Sequence, residues 1–145
     1  MSVARRGWKF VALALLCSMV LVAGTGCTTR ELGGLVLRFA NNERAARGIA
    51  PLVWDENAAQ KAQAWAEYLA ASRTIAHSRL TDGISGSWTV LAENVGFADS
   101  VGAAHEGFMN SPKHRATLLS PQYSAVGMGV AENGGLYYVV QVYRG

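Results

Sequence analysis

The sequence predicts an α+β domain in which helices cover both faces of a small antiparallel sheet. Three observations carry this. Apolar residues recur at helical spacing in two long stretches, Leu32 to Asn42 and Ala58 to Leu69. An Asn133-Gly134-Gly135 turn joins two runs rich in β-branched and aromatic residues, Tyr123 to Ala131 and Leu136 to Tyr143. Between them lie one short strand-like run and two capped helix starts, so the order is helix, helix, strand, helix, helix, hairpin.

Each element has its own signal. Thr28 and Thr29 can cap a helix opening at Arg30 or Glu31, with Leu32, Leu35, Val36 and Phe39 as its apolar stripe and Gly48 placed to end it. Pro51-Leu52-Val53-Trp54 reads as an extended connector. Asp55 is an N-cap for an alanine-rich helix. Its stripe of Ala58, Ala62, Trp65, Ala66 and Leu69 implies close approach to whatever it packs on, with Gln60, Lys61, Gln63 and Glu67 largely opposite. Residues 73–90 form a polar loop holding Thr81-Asp82-Gly83 and Ser85-Gly86-Ser87. Val90 to Phe97 has strand character. Ser100 caps a helix to about Met109, and Ser111 caps a shorter one with Pro112 at its favoured first position.

The start of the chain reads as a targeting segment. Arg5, Arg6 and Lys9 precede an apolar run from Phe10 to Val22, and small residues lead into Cys27, the layout of a secretory leader over residues 1–26. The run is short for a span of an ~30 Å hydrocarbon core. Small residues before a cysteine resemble a bacterial lipobox, which makes Cys27 the expected lipidated residue, followed by a short linker over 27–31 and a domain over 32–145. The expected location is therefore the cell envelope outside the cytoplasm, anchored to the membrane by lipid, with plain secretion as the alternative. The chain carries 13 Lys and Arg against 10 Asp and Glu, and loss of the three leader cations leaves 10 against 10. That balance gives no basic face for nucleic acid. Cys17 and Cys27 both lie at the start, so residues 28–145 hold no thiol for a disulfide or a thiolate metal site.

Polar chemistry concentrates in three short motifs: His77-Ser78, Ala92-Glu93-Asn94-Val95 and Ser111-Pro112-Lys113-His114-Arg115. Imidazole and carboxylate are common ligands of first-row metals and a common proton-transfer pair. Two His and one carboxylate can hold zinc and leave a position open. The same three groups can equally form a buried network in which Glu93 fixes the imidazole tautomers. Ser111 reads as a helix cap rather than a nucleophile. His105 and Glu106, adjacent on a helix, share no face and are expected in solvent. Trp54, Trp65, Phe39 and Phe108 are expected in the core. Trp88, in the loop between His77 and Glu93, is placed either to line a cleft mouth or simply to pack. Tyr137 and Tyr138 face opposite sides of one strand, so at least one is expected to be exposed.

The motifs together resemble those of the CAP superfamily, which includes cysteine-rich secretory proteins, plant pathogenesis-related proteins and bacterial SCP-like proteins. The residues that carry the resemblance run in order: Asn42-Glu43-Arg44 with Arg47-Gly48 and Pro51-Leu52, the alanine-rich helix, His77-Ser78, Ala92-Glu93-Asn94-Val95, Phe108 to Arg115, Val126 to Val130, and Tyr138 to Gln141. The resemblance implies an α-β-α sandwich with a central cleft able to hold a divalent metal such as zinc, here through His77, Glu93 and His114. The fourth, acidic group of that site falls on Ser111, counting from Phe108 where Trp is usual, so any metal is expected to be weakly held. Ser111, Trp88 and Asn94 are the further candidate ligand contacts, with Asn94 also able to satisfy loop backbone groups within the fold. The function expected is binding of a small apolar or envelope ligand in this cleft. A metal-assisted hydrolase or protease using the same residues is one alternative, and a non-enzymatic interaction module with a structural polar centre is another. No separate general base is evident in the sequence.

Overall fold

The computed structural model describes residues 25–145, with side chains from Thr29 onward. Residues 1–24 of the expected leader and the side chain of Cys27 lie outside this description. The elements are α1 (Thr25–Ala45), β1 (Val53–Trp54), α2 (Glu56–Ser72), β2 (Leu91–Ala98), α3 (Val101–Asn110), α4 (Pro112–Leu118), β3 (Ala125–Asn133) and β4 (Leu136–Arg144). Helix α1 thus opens before the expected caps, and residues 27–31 are helical. Among the described residues no helix is long and apolar enough to cross a membrane.

The four strands form one sheet in the order β1-β3-β4-β2. Three of them are antiparallel, but β1 pairs with β3 in parallel, so the sheet is mixed rather than antiparallel. The cause is the Pro51–Trp54 connector. It lies beside the start of β3, where the Val53 and Asp55 amides donate to the Ser124 and Val126 carbonyls, both at 2.9 Å. The strands alternate faces with a period of two. Val126, Met128, Val130, Val139 and Tyr143 pack beneath α1, α3 and α4, while Val95, Tyr138, Val140 and Val142 pack beneath α2. Helices therefore cover both faces, which is an α-β-α sandwich. For the same reason neither Tyr137 nor Tyr138 is exposed: Tyr138 is buried in the α2 core and Tyr137 packs on the other.

Helix α2 approaches β3 closely. A Cβ on Gly127 would lie 2.0 Å from the Ala59 nitrogen, and one on Gly129 would lie 2.2 Å from the Ala62 carbonyl carbon. Alanine on the helix and glycine on the strand are the complementary conditions for that contact. At the hairpin, Gly134 and Gly135 have φ of 64° and 81°. That pair of positive φ values is what a two-residue turn of matching twist requires.

The polar side chains of α2 hold the rest of the fold to the helix. Gln63 closes the open edge of β3 by accepting from the Val130 amide and donating to its carbonyl, both at 3.0 Å. Asn57, Lys61 and Trp65, spaced by four along one helical face, bind the 73–90 loop. Asn57 donates to Gly83 O, Lys61 to Arg79 O and Asp82 O, and Trp65 to Ala76 O. At the far end, buried Arg44 donates to the carbonyls of Ala50, Leu118, Ser120 and Tyr123, tying the end of α1 to the α4–β3 connection.

Two expectations about burial are corrected. His105 is not solvated: it is buried where α3 meets α1, tilted against the Phe39 ring, with centroids 5.4 Å apart. Of the four aromatics expected in the core, Phe108 is buried; Phe39, Trp54 and Trp65 are half-buried, packing against the core from its margin.

Candidate functional site

The site forms at β2, the edge strand next to β4. Glu93 pairs in register with Val142, whose side chain belongs to the α2 core, so the Glu93 carboxylate points to the α2 face. The loop after α2 passes there. Glu93 Oε1 meets His77 Nδ1 at 2.8 Å and accepts from the Ser78 amide at 2.9 Å, while Oε2 accepts from the Ser78 hydroxyl at 2.6 Å. The carboxylate side chain is 1% exposed and the imidazole 55% exposed. Burying a carboxylate is costly unless donors satisfy it, and here three donors reach its two oxygens. With Nδ1 carrying its proton towards Glu93, the Nε2 atom of His77 is left as a free acceptor on the exposed side of the ring.

Asn94, the next residue, points to the opposite face beside Gln141. Its Nδ2 donates to the His114 carbonyl and to Gln141 Oε1, each at 3.1 Å, and the Tyr143 hydroxyl donates to the same Gln141 oxygen at 2.6 Å. His114 stands on α4, half-buried, with its ring edge-on to Phe108 at 5.2 Å between centroids. Gly96 makes room for Phe108: a Cβ there would lie 2.9 Å from the phenyl ring. Burial lowers the His114 pKa below its usual value, and the neighbouring His77 and Lys113 lower it further. Burial therefore favours the neutral form of the His114 imidazole.

The predicted residues divide accordingly. His77 and Glu93 are joined directly, and His114 is drawn to the same strand through Asn94. Among the described residues no three His, Cys, Asp or Glu side chains are gathered as a metal-holding group. Both oxygens of Glu93 accept hydrogen bonds from the His77–Ser78 segment, so in this arrangement the carboxylate serves the loop. Asn94, expected to contact ligand, is buried at 1% exposure and works inside the fold. Ser111 occupies the N-cap position of α4 but makes no side-chain capping bond. Trp88, 41% exposed, stands in the part of the loop tied to the end of β4, where Arg144 donates to Ser87 O and the Thr89 amide to Gly145 O. Ser78, Gln141 and Tyr143 complete the polar centre; the sequence signalled Ser78 through its pairing with His77 and Gln141 only as the end of the Tyr138–Gln141 motif, and gave no sign of Tyr143. A groove of about 420 Å³, lined by Arg30, Trp54, Glu56, Gln63 and Met128 among others, lies over the opposite edge of the sheet, away from the histidines.

A mixed sheet between helical layers, with a His–Glu pair and a second histidine at the edge strand, defines a class that the comparisons identify. The family model for the cysteine-rich secretory protein family, CAP, matches residues 37–143, and the chain belongs to that family. Similar solved structures include an extracellular SCP-domain protein of Bacillus anthracis, with a TM-score of 0.71 at 22% identity over 80% of this chain and 41% of that one. An outer surface protein of Borrelia burgdorferi gives 0.69 at 17% identity, over 79% of this chain and 92% of that one. A cysteine-rich secretory protein of Staphylococcus aureus gives 0.69 at 22% identity, over 83% of this chain and 40% of that one. The chain thus spans about two-fifths of the Bacillus and Staphylococcus proteins. No curated protein sequence matches it.

Proposed function

We propose that this CAP-domain protein works outside the cytoplasm, tethered through a lipid on Cys27, and binds an apolar or envelope ligand at the β2 edge, where His77 and His114 supply the polar contacts. The observation that carries the reading is the His77–Glu93 pair. A buried carboxylate holds an exposed imidazole at 2.8 Å in one tautomer, with the free nitrogen turned outward. Such orientation of a surface ring serves recognition or ligation more directly than packing. The extracellular and outer-surface proteins among the structural neighbours support the location. A divalent metal would be held by the two imidazoles alone and therefore weakly, with Glu93 behind His77 as the group that raises its basicity.

Zinc titration of the wild type and of a His77→Ala/His114→Ala variant tests the proposal. The expected result is weak, saturable uptake of one zinc per chain, lost in the double variant, with metal-free thermal stability changed little. Unaltered zinc uptake in the double variant would remove both histidines from the site. Collapse of its stability without metal would instead make the centre structural. Fatty-acid labelling tests the anchor separately: the wild type should be labelled and Cys27→Ala should not.

A further inference from the structure

We propose that β2 is a yoke for the two imidazoles, in which Asn94 is the positioning residue for His114 as Glu93 is for His77. The inference rests on the reading that both rings serve one site. Adjacent strand residues face opposite sides of a sheet, so Glu93 and Asn94 reach into different helical layers from one short length of backbone. Glu93 takes hold of the loop at His77 and Ser78, and Asn94 takes hold of α4 at the His114 carbonyl. The separation of the rings is thereby referred to a single rigid edge strand.

Helix α4 needs such a hold. It has seven residues and no side-chain cap at Ser111, and a helix that short has little stability of its own. The Asn94 amide is itself fixed, because Gln141 Oε1 accepts from both Asn94 Nδ2 and the Tyr143 hydroxyl. Gln141 pairs with Met128 on one side and Asn94 on the other, in the middle of the sheet.

The network also retains a cost that packing alone would not require. Asn94 Oδ1 and Gln141 Nε2 are buried without a hydrogen-bond partner among the described residues, and a buried polar atom left unpaired is destabilising. Turning either amide over does not help. A turned Asn94 sets its oxygen against the His114 and Gln141 oxygens, and a turned Gln141 sets its nitrogen against the Asn94 nitrogen. Two apolar side chains would avoid that cost but could not hold the His114 carbonyl. The amides are kept for direction.

Histidine-ring NMR of the metal-free full chain, with zinc uptake as a second readout, tests the yoke. In Asn94→Ala and Asn94→Asp the His114 ring resonances should move and those of His77 stay, with zinc affinity falling about tenfold, as for loss of an outer-shell partner. Should Asn94→Ala not fold, Gln141→Met keeps the volume, removes the support behind Asn94, and should move the His114 resonances in the same way. Lowered stability with the His114 resonances in place would overturn the proposal, leaving Asn94 a structural residue only. Wild-type protein that takes up no zinc would count against the binding reading alone, because the ring resonances still decide the yoke.

Discussion

Glu93 is the side chain through which the site and the 73–90 loop depend on each other. Its three donors all come from His77 and Ser78, so whatever weakens the carboxylate frees the loop at the point that carries the imidazole. Glu93→Gln keeps the shape but replaces one acceptor oxygen by a donor facing the Ser78 hydroxyl or amide. Hydrogen bonds to a charged group contribute about 1.5–3 kcal/mol, and a loss of that order is expected in urea unfolding. Trypsin should also cut sooner after Arg79, which lies one residue beyond the gripped pair. Equal cutting rates for the two proteins would show that the loop is held by Asn57, Lys61 and Trp65 alone. The sequence displayed His77, Glu93 and His114 as site residues because charged and imidazole groups stand out in apolar surroundings. It also offered Glu93 as the group that fixes the imidazole tautomers, but not which loop or helix each strand residue would reach. That Glu93 grips the loop while Asn94 grips α4 follows from which face each strand residue occupies and from what the other face holds.

At the scale of elements, the fit of α2 onto β3 sets the thickness of one half of the sandwich. A methyl group on Gly129 would meet the Ala62 backbone at 2.2 Å. No rotamer relieves a Cβ, so helix and strand must part. Overpacking costs about 1–3 kcal/mol where side chains can adjust, and Gly129→Ala is expected to exceed the upper end of that range in thermal unfolding. Gly34→Ala is the control: inside α1, with nothing within 4 Å of the added carbon, it should stabilise by about 0.5–1 kcal/mol. A Gly129→Ala variant as stable as wild type would mean that α2 rides further from the sheet than described. Much of this architecture was legible beforehand. The alanine stripe announced a close approach, the Asn133-Gly134-Gly135 turn announced the hairpin, helical periods located α1 and α2, and the Ser100 and Ser111-Pro112 starts located α3 and α4. The parallel strand β1 was not legible, because two residues carry no period and their pairing depends on where β3 arrives from seventy positions later. His105 was misplaced for a related reason: its exposure depends on α1 crossing α3, a contact that local spacing cannot express.

For the whole molecule, the two helical layers differ in their electrostatic margin. His105 on α3 and His114 on α4 both lie in the layer that also contains α1, and burial depresses the pKa of each imidazole. Around His105, Glu43 and Glu106 oppose the depression without cancelling it; around His114, His77 and Lys113 add to it. A base whose folded pKa lies below its unfolded value of about 6.5 leaves the unfolded chain binding more protons between the two values. Stability is then fully retained above about pH 6.5 and falls as pH drops through the window beneath it. Carboxylates titrate lower, near 4, so the interval from pH 7.5 to 5.5 isolates the imidazoles. The melting temperature should decline across it, and His105→Leu should flatten the decline by removing one of the two contributions. Amide exchange at pH 5.5 should rise first in α3 and α4, while α2, whose buried face is alanine and leucine, keeps its protection. A melting temperature constant over the interval would show that neither ring is held from solvent in the folded state. A uniform rise in exchange across both layers would show that acid loosens the sandwich as one unit rather than from its histidine-bearing side.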